Sequence, residues 1–301
     1  MFISNLGELR ANIAALISSL FLTIIPALLP RTIAGIPEKE SAGFFFLFIS
    51  LYFFISAWKG GKLRNRLLLG LFAGITTAMM ALIWGGWQYI SLTISIALFI
   101  SLVLGKCKKE EIYITLVWLL PSWLIMSIFS TRYSWENLLT STTTLIALVM
   151  PILILINLFI SNSRFSKYFE IGFLKKLPRP IISIAIVVVL AGILGSIVFG
   201  ISFLPDKLGD ITKPLIQPIT DRLGVTVAEN RQPYFNEWEN SFGPRVRGIA
   251  LFFWLFMIGS IFLYFGMIKI FEKKERIILT SGYALFLLAM VFSRYKSDSI
   301  L

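Results

Sequence analysis

Apolar runs of about twenty residues recur along this chain, each parted from the next by a short polar turn or loop. A helix of that length covers about 30 Å of hydrocarbon. In lipid the backbone must satisfy its own hydrogen bonds, so a helix is the form such runs take. Nine runs reach the length: about 11–30, 42–58, 67–84, 87–104, 112–129, 138–160, 180–203, 247–271 and 276–293. The pattern predicts an all-α polytopic membrane protein with about nine transmembrane helices in a single transmembrane domain, 1–301. The first run follows Glu8 and Arg10 and ends in Leu28-Leu29-Pro30-Arg31. No small-residue cleavage signature closes it, so it reads as a span and not as a signal peptide. There is no internal repeat and no low-complexity tract.

Composition narrows the chemistry. The 301 residues are 57% hydrophobic and only 15% charged, which excludes an ordinary soluble domain. Histidine is absent, so His-based general-base catalysis, Ser-His-Asp triads and zinc–imidazole sites are excluded. The single cysteine, Cys107, cannot form an internal disulfide. The net charge of +12 reports anchoring at one membrane face; no basic patch interleaves with aromatics, so no nucleic-acid partner is expected.

Basic residues set the orientation. Lys59, Lys62, Arg64 and Arg66 fall in the loop at 59–66, and Lys106, Lys108 and Lys109 in the loop at 105–111. Arg164, Lys167, Lys175, Lys176 and Arg179 fall at 161–179, and Lys273, Lys274 and Arg276 at 272–276. These are alternate loops, and short loops rich in Lys and Arg are cytoplasmic. The expected protein is a multi-pass cell-membrane protein with its N-terminus cytoplasmic and its C-terminus outside. The other loops then face outward: 31–41, the Gly85-Gly86 turn, 130–137 and the long loop 204–246. Trp84, Trp87, Tyr89, Tyr133 and Trp135 at their edges read as an interfacial aromatic belt.

The long external loop has room for chemistry outside the bilayer. Leu215, Ile216, Ile219 and Leu223 recur at helical spacing after Pro214, which predicts a short interfacial helix ended by Gly224. Thr226 to Pro233 then runs extended, because the residue before a proline avoids the helical region. Glu229 lies in this stretch with Asn230 and Arg231 beside it. Upstream, Glu38 and Glu40 stand two residues apart just before a span. In an extended segment residues two apart share a face, and paired carboxylates suit a hard divalent ion. The alternative is a solvated turn capping the helix at 42, since acids favour helix N-termini. Arg294 ends the last span against the charge bias, as a snorkelling cation or as the partner of an anion.

These residues resemble the catalytic subunit of oligosaccharyltransferase, the membrane enzyme of asparagine-linked glycosylation. Arg31-Thr32-Ile33-Ala34-Gly35 with Glu38-Lys39-Glu40 is similar to the family's second acidic metal motif, in which Asp usually stands where Glu38 is. Trp84-Gly85-Gly86 is similar to the family's Trp-Gly-Gly turn. Thr226-Val227-Ala228-Glu229-Asn230 looks like the archaeal form of its Thr/Ser-x-x-Glu motif. The order, spacing and shared outward side of the three carry the resemblance.

The resemblance implies a GT-C type glycosyltransferase transmembrane core with one long external loop. It implies transfer of a glycan from a polyprenyl-diphosphate carrier to Asn of an Asn-x-Ser/Thr acceptor. Glu38 and Glu40 would help bind a divalent metal, Mn²⁺ or Mg²⁺. Glu229 would hold the acceptor amide, Arg294 and Arg31 would contact the carrier phosphates, and Thr226 and Asn230 would shape the loop. Aligned by these motifs, the nine runs match the third through eleventh of the family's thirteen spans. A first external loop with an essential Asp would then precede Met1, and a soluble domain would follow Leu301. The chain is accordingly expected to be a fragment, a split-gene product or a degenerate copy. Alone it would be inactive, with a second chain supplying the rest. A membrane scaffold is the competing reading. A transporter would carry ionisable residues inside its spans, and the nine runs hold almost none.

Overall fold

The structure, a computed structural model, describes residues 8–24, 38–59, 61–161, 177–202, 205–206, 208–209 and 235–270. Those residues are mostly helical and contain no β-strand beyond an isolated bridge between Val246 and Ile249. The helices are α1 (Glu8–Ile24), α2 (Lys39–Trp58), α3 (Leu63–Ile83), α4 (Gln88–Val103), α5 (Lys109–Phe129), α6 (Trp135–Thr140), α7 (Thr142–Ser161), α8 (Arg179–Phe199), α9 (Phe235–Ser241) and α10 (Leu251–Ile270). Short 3₁₀ turns at Gly85–Trp87 and Thr131–Tyr133 join α3 to α4 and α5 to α6. Six of the described helical segments are long and apolar enough to cross a bilayer, and two shorter apolar ones lie at Ala15–Ile24 and Leu251–Gly266. The protein is an all-α polytopic membrane protein. The run at 276–293 and the helix expected from Pro214 lie outside the described residues.

The chain divides into two compact units, one of Glu38–Thr212 and one of Met1–Pro37 with Lys213–Leu301. In the first, α3 is the central helix and packs against both α2 and α5. Its sequence explains this double contact. Gly70, Ala73, Gly74, Thr77, Ala78 and Ala81 recur at three- and four-residue intervals and are all buried. Small residues let helix backbones approach closely in a bilayer, where apolar area alone drives little association. A Cβ on Gly74 would lie 2.5 Å from the Trp118 carbonyl oxygen of α5, so that crossing requires glycine.

Buried polar groups tie the same three helices. The Ser50 and Thr77 hydroxyls lie 2.7 Å apart. Thr77 also donates to the Ala73 carbonyl at 2.8 Å, and Trp118 Nε1–H donates to Thr77 Oγ1 at 3.0 Å. Beyond them α7 packs against α4, α5 and α8, with Ser183 of α8 donating to Asn157 Oδ1 of α7 at 3.1 Å. Much of α8 is exposed apolar surface, Ile193, Leu194, Ile197 and Val198 among it, as a lipid-facing helix requires.

Helix boundaries depart from the apolar runs where polar residues find partners. The helix expected from 67 begins at Leu63, so Arg66, expected in a loop, sits in the first turn of α3 and is 8% exposed. Its Nη2 donates to Glu111 Oε1 at 3.1 Å and its Nε to the Ala57 carbonyl at 2.8 Å. The run expected from 138 splits instead. Ser134 caps α6 by accepting from the Asn137 backbone at 3.2 Å. Ser141 is extended, and α7 starts after it.

In the second unit, Phe242 after α9 packs on Phe253 and Phe256 of α10 at ring separations of 5.6 and 4.8 Å. Arg245 pairs with Glu239 and also donates to Asn236 Oδ1 at 3.0 Å. Gly243 has φ +147°, and a Cβ there would lie 2.6 Å from the Phe252 ring, so glycine is needed at this turn.

Candidate functional site

The site is built at the end of the Glu38–Thr212 unit where α2 begins and α3 ends. Glu38 is the residue before α2, in extended conformation (φ −87°, ψ 132°), and its side chain makes no capping bond. Glu40 falls in the first helical turn and is 8% exposed, while Lys39 between them is exposed. Burial therefore alternates inward, outward, inward, although α2 has already started at Lys39 and the segment is not a strand. Glu38 Oε2 is buried and meets no hydrogen-bond partner. A buried carboxylate oxygen without a donor is costly unless a cation completes it, so Glu38 fits the hard-ion chemistry expected of it. Among the described residues no group of three His, Cys, Asp or Glu side chains converges, so this pair would supply part of a coordination shell.

One turn into α2, Gly43 meets Trp84. A Cβ on Gly43 would lie 2.8 Å from Trp84 Cε3, and one on Gly86 would lie 2.4 Å from Trp84 Cζ3. The indole thus lies against two glycines from segments about forty residues apart, and Phe44 adds a ring contact at 5.5 Å. This packing brings the acidic segment and the Trp-Gly-Gly turn together at one place. Trp84 ends α3, its N–H reaching the Met80 carbonyl at 2.7 Å, and its own extended backbone turns the chain into Gly85–Trp87.

The aromatic belt expected here is only partly a belt. Tyr89 and Trp135 are exposed, but Trp87 and Tyr133 are buried. Their rings meet edge to face at 5.8 Å, and Tyr133 Oη–H donates to the Ala81 carbonyl at 2.9 Å. Those contacts fasten the 131–133 turn to the end of α3. Trp87 Nε1 is buried without a partner. Arg132 is carried with this turn: it is exposed, its guanidinium lies 5.9 Å from the Tyr133 ring centroid, and a Cβ on Gly85 would lie 3.9 Å from its Nη2.

Sequence reasoning passed over Arg132, although the signal was present. It is a cation in a loop of the set that lacks the Lys/Arg clusters, the same feature that singled out Arg294. The expected site residues Glu229, Arg294, Arg31, Thr226 and Asn230 lie outside the described residues. At the opposite end of the unit, burial pushes the Cys107 thiol above its usual range, the Ser101 hydrogen bond lowers it, and the nearby Glu111 charge raises it. A thiol shifted upward is a weak nucleophile at neutral pH.

Residues 6–201, about two thirds of the chain, match the family described as oligosaccharyl transferase STT3, N-terminal. A stretch of 103 residues is 26% identical to the dolichyl-diphosphooligosaccharide–protein glycosyltransferase subunit STT3 of Saccharomyces cerevisiae. That stretch covers 34% of this chain and 14% of the yeast subunit, so the chain spans only a small part of that relative's length. No solved structure matches the chain.

Proposed function

Because the chain belongs to the oligosaccharyl transferase STT3 family, we propose that it forms the membrane core of an enzyme that transfers a glycan from a polyprenyl-diphosphate carrier to the side-chain amide of Asn in an Asn-x-Ser/Thr acceptor. The observation that carries this reading is the seating of Trp84 against Gly43 and Gly86, which joins the acidic segment to the Trp-Gly-Gly turn. The end bearing these residues is the external face. The end bearing Lys59, Lys62, Lys106, Lys108 and Lys109 is cytoplasmic, since basic residues concentrate there.

The roles follow from the chemistry of the side chains. Glu38, with its unpartnered buried oxygen, and Glu40 beside it would hold Mn²⁺ or Mg²⁺. Such an ion, when bound, stabilises negative charge on a departing diphosphate. Glu229 would receive the acceptor amide: an amide NH₂ offers two donors and a carboxylate is acceptor-only. Arg31 and Arg294 would pair with carrier phosphates, and Thr226 and Asn230 would support the loop around Glu229. Further ligands would complete the metal site, since no third His, Cys, Asp or Glu joins this pair among the described residues.

The test is transfer to a fluorescent Asn-x-Thr peptide by the purified full chain with the polypeptides that co-purify with it. Transfer should stop on chelation, return with Mn²⁺ or Mg²⁺, and fall by about a hundredfold or more in Glu229→Gln, as for loss of an interaction made at the reacting group. Unchanged transfer by that variant would exclude the role of Glu229. Absence of transfer under every divalent ion would favour the scaffold reading.

A further inference from the structure

The Trp-Gly-Gly turn is flanked on two sides by charge of opposite sign. Glu40 and Gly43 are three apart on α2, and Gly43 touches Trp84. Arg132 lies against the next residue, Gly85. Unlike Arg66 and Arg245, Arg132 has no ion-pair partner among the described residues. Its backbone is nonetheless held: Asn137 Nδ2 donates to the Arg132 carbonyl at 3.2 Å, and Tyr133 beside it is anchored to Ala81. A cation–π contact with Tyr133 restrains the guanidinium itself. The result is an exposed cation, without an ion-pair partner among the described residues, against the same Trp-Gly-Gly turn on which the acidic segment packs through Gly43.

We propose that Arg132 is a phosphate-binding residue of the donor site, taking one phosphate of a prenyl diphosphate beside the carboxylate pair. This rests on the glycan-transfer reading above. A guanidinium forks onto phosphate oxygens through two parallel N–H···O bonds, whereas an ammonium acts as a point charge. Gly85 leaves the approach to Nη2 open, because no side chain stands there. The anion recognised is a phosphate ester, which at a membrane surface has two sources, a carrier diphosphate or a phospholipid headgroup.

The experiment uses the full 301-residue chain in nonionic detergent, titrated with farnesyl diphosphate and with farnesyl monophosphate. The wild type should bind the diphosphate more tightly. Arg132→Gln should weaken diphosphate binding about tenfold or more, the scale of a hydrogen bond to a charged group, and Arg132→Lys should recover part of the loss. Thermal midpoints of all three proteins should coincide, since Arg132 is exposed. Equal diphosphate affinity in wild type and Arg132→Gln would overturn the assignment and leave the glycan-transfer reading standing. A wild-type chain with no diphosphate affinity would overturn both. Phosphatidylglycerol retained by the wild type and lost from Arg132→Gln in native mass spectrometry, with diphosphate affinity unchanged, would assign the cation to a headgroup and overturn the proposal.

Discussion

The two ends of the Glu38–Thr212 unit hold charge in opposite ways. At the Lys-rich end, Arg66 and Glu111 are both buried and paired with each other. Arg66 reaches Glu111 Oε1 and the Ala57 carbonyl, and Glu111 Oε2 accepts from the Lys108 backbone at 2.7 Å. That arrangement clamps the end of α2 to the starts of α3 and α5. At the Trp84 end, Glu38 Oε2 and Trp87 Nε1 are buried without partners, and Arg132 has no carboxylate among the described residues. Desolvating a polar group without compensation costs folding free energy. A chain that compensates its charges so fully at one end has not failed to do so at the other for want of suitable residues. The difference separates an end whose buried charges are paired from an end where buried polar atoms are left without partners.

The largest effect should come from breaking the clamp. Glu111→Ala leaves Arg66 buried without its counter-charge, and removal of one partner from a buried pair costs about 3–5 kcal/mol. Replacing both, Arg66→Met with Glu111→Leu, should recover most of that loss, because neither change then strands a charge. Thermal or denaturant unfolding in detergent reads both. If Glu111→Ala unfolds like the wild type, the clamp does not hold the fold and the contrast between the ends is lost.

That clamp was poorly legible in the sequence, and the reason is physical. Apolar runs mark where lipid begins, not where helices begin. Arg66 and Glu111 read as loop charges because hydropathy treats each residue alone, whereas pairing lets the helices extend past the apolar boundary. The spanning architecture itself was legible, since about twenty apolar residues admit no other form in a bilayer. Glu38 and Glu40 could be picked out as a pair, because two acids beside a span are unusual whatever their neighbours. The Gly43–Trp84 contact was not, since it joins residues about forty apart through shape alone. Tyr133 and Trp87 were read as belt residues because interfacial and packed aromatics look alike until their neighbours are known. Arg132 was hidden behind them.

A smaller effect should come from the mid-membrane network, which belongs to neither end and tests whether compensation there is worth what it is at the clamp. Thr77→Val removes the acceptor of Trp118 Nε1–H in a site where Thr77 and Trp118 are essentially inaccessible. Leaving that donor unsatisfied should cost about 1–2 kcal/mol. Trp118→Phe on the same background should cost less than on the wild type, because the orphaned donor goes with it. Additive losses would show that the two side chains do not act together.

The smallest effect on stability should come from Glu38→Gln, and it divides the two ends most sharply. The substitution keeps the shape of the side chain and removes its charge. At the clamp such a change would strand Arg66. At the Trp84 end Glu38 Oε2 has no partner to lose, so without metal the unfolding free energy should fall by no more than about 0.5 kcal/mol. Any larger change should be a gain, because an uncompensated buried charge is removed. What should disappear is linkage to divalent ions. A ligand that binds only the folded chain raises stability by RT ln(1 + [L]/Kd), about 2.7 kcal/mol at a hundred times Kd. Wild-type protein titrated with Mn²⁺ or Mg²⁺ should therefore gain thermal stability that Glu38→Gln does not. A loss of several kcal/mol in the variant without added metal would make Glu38 a structural residue like Glu111. The end beside Trp84 would then differ from the clamp in geometry but not in kind.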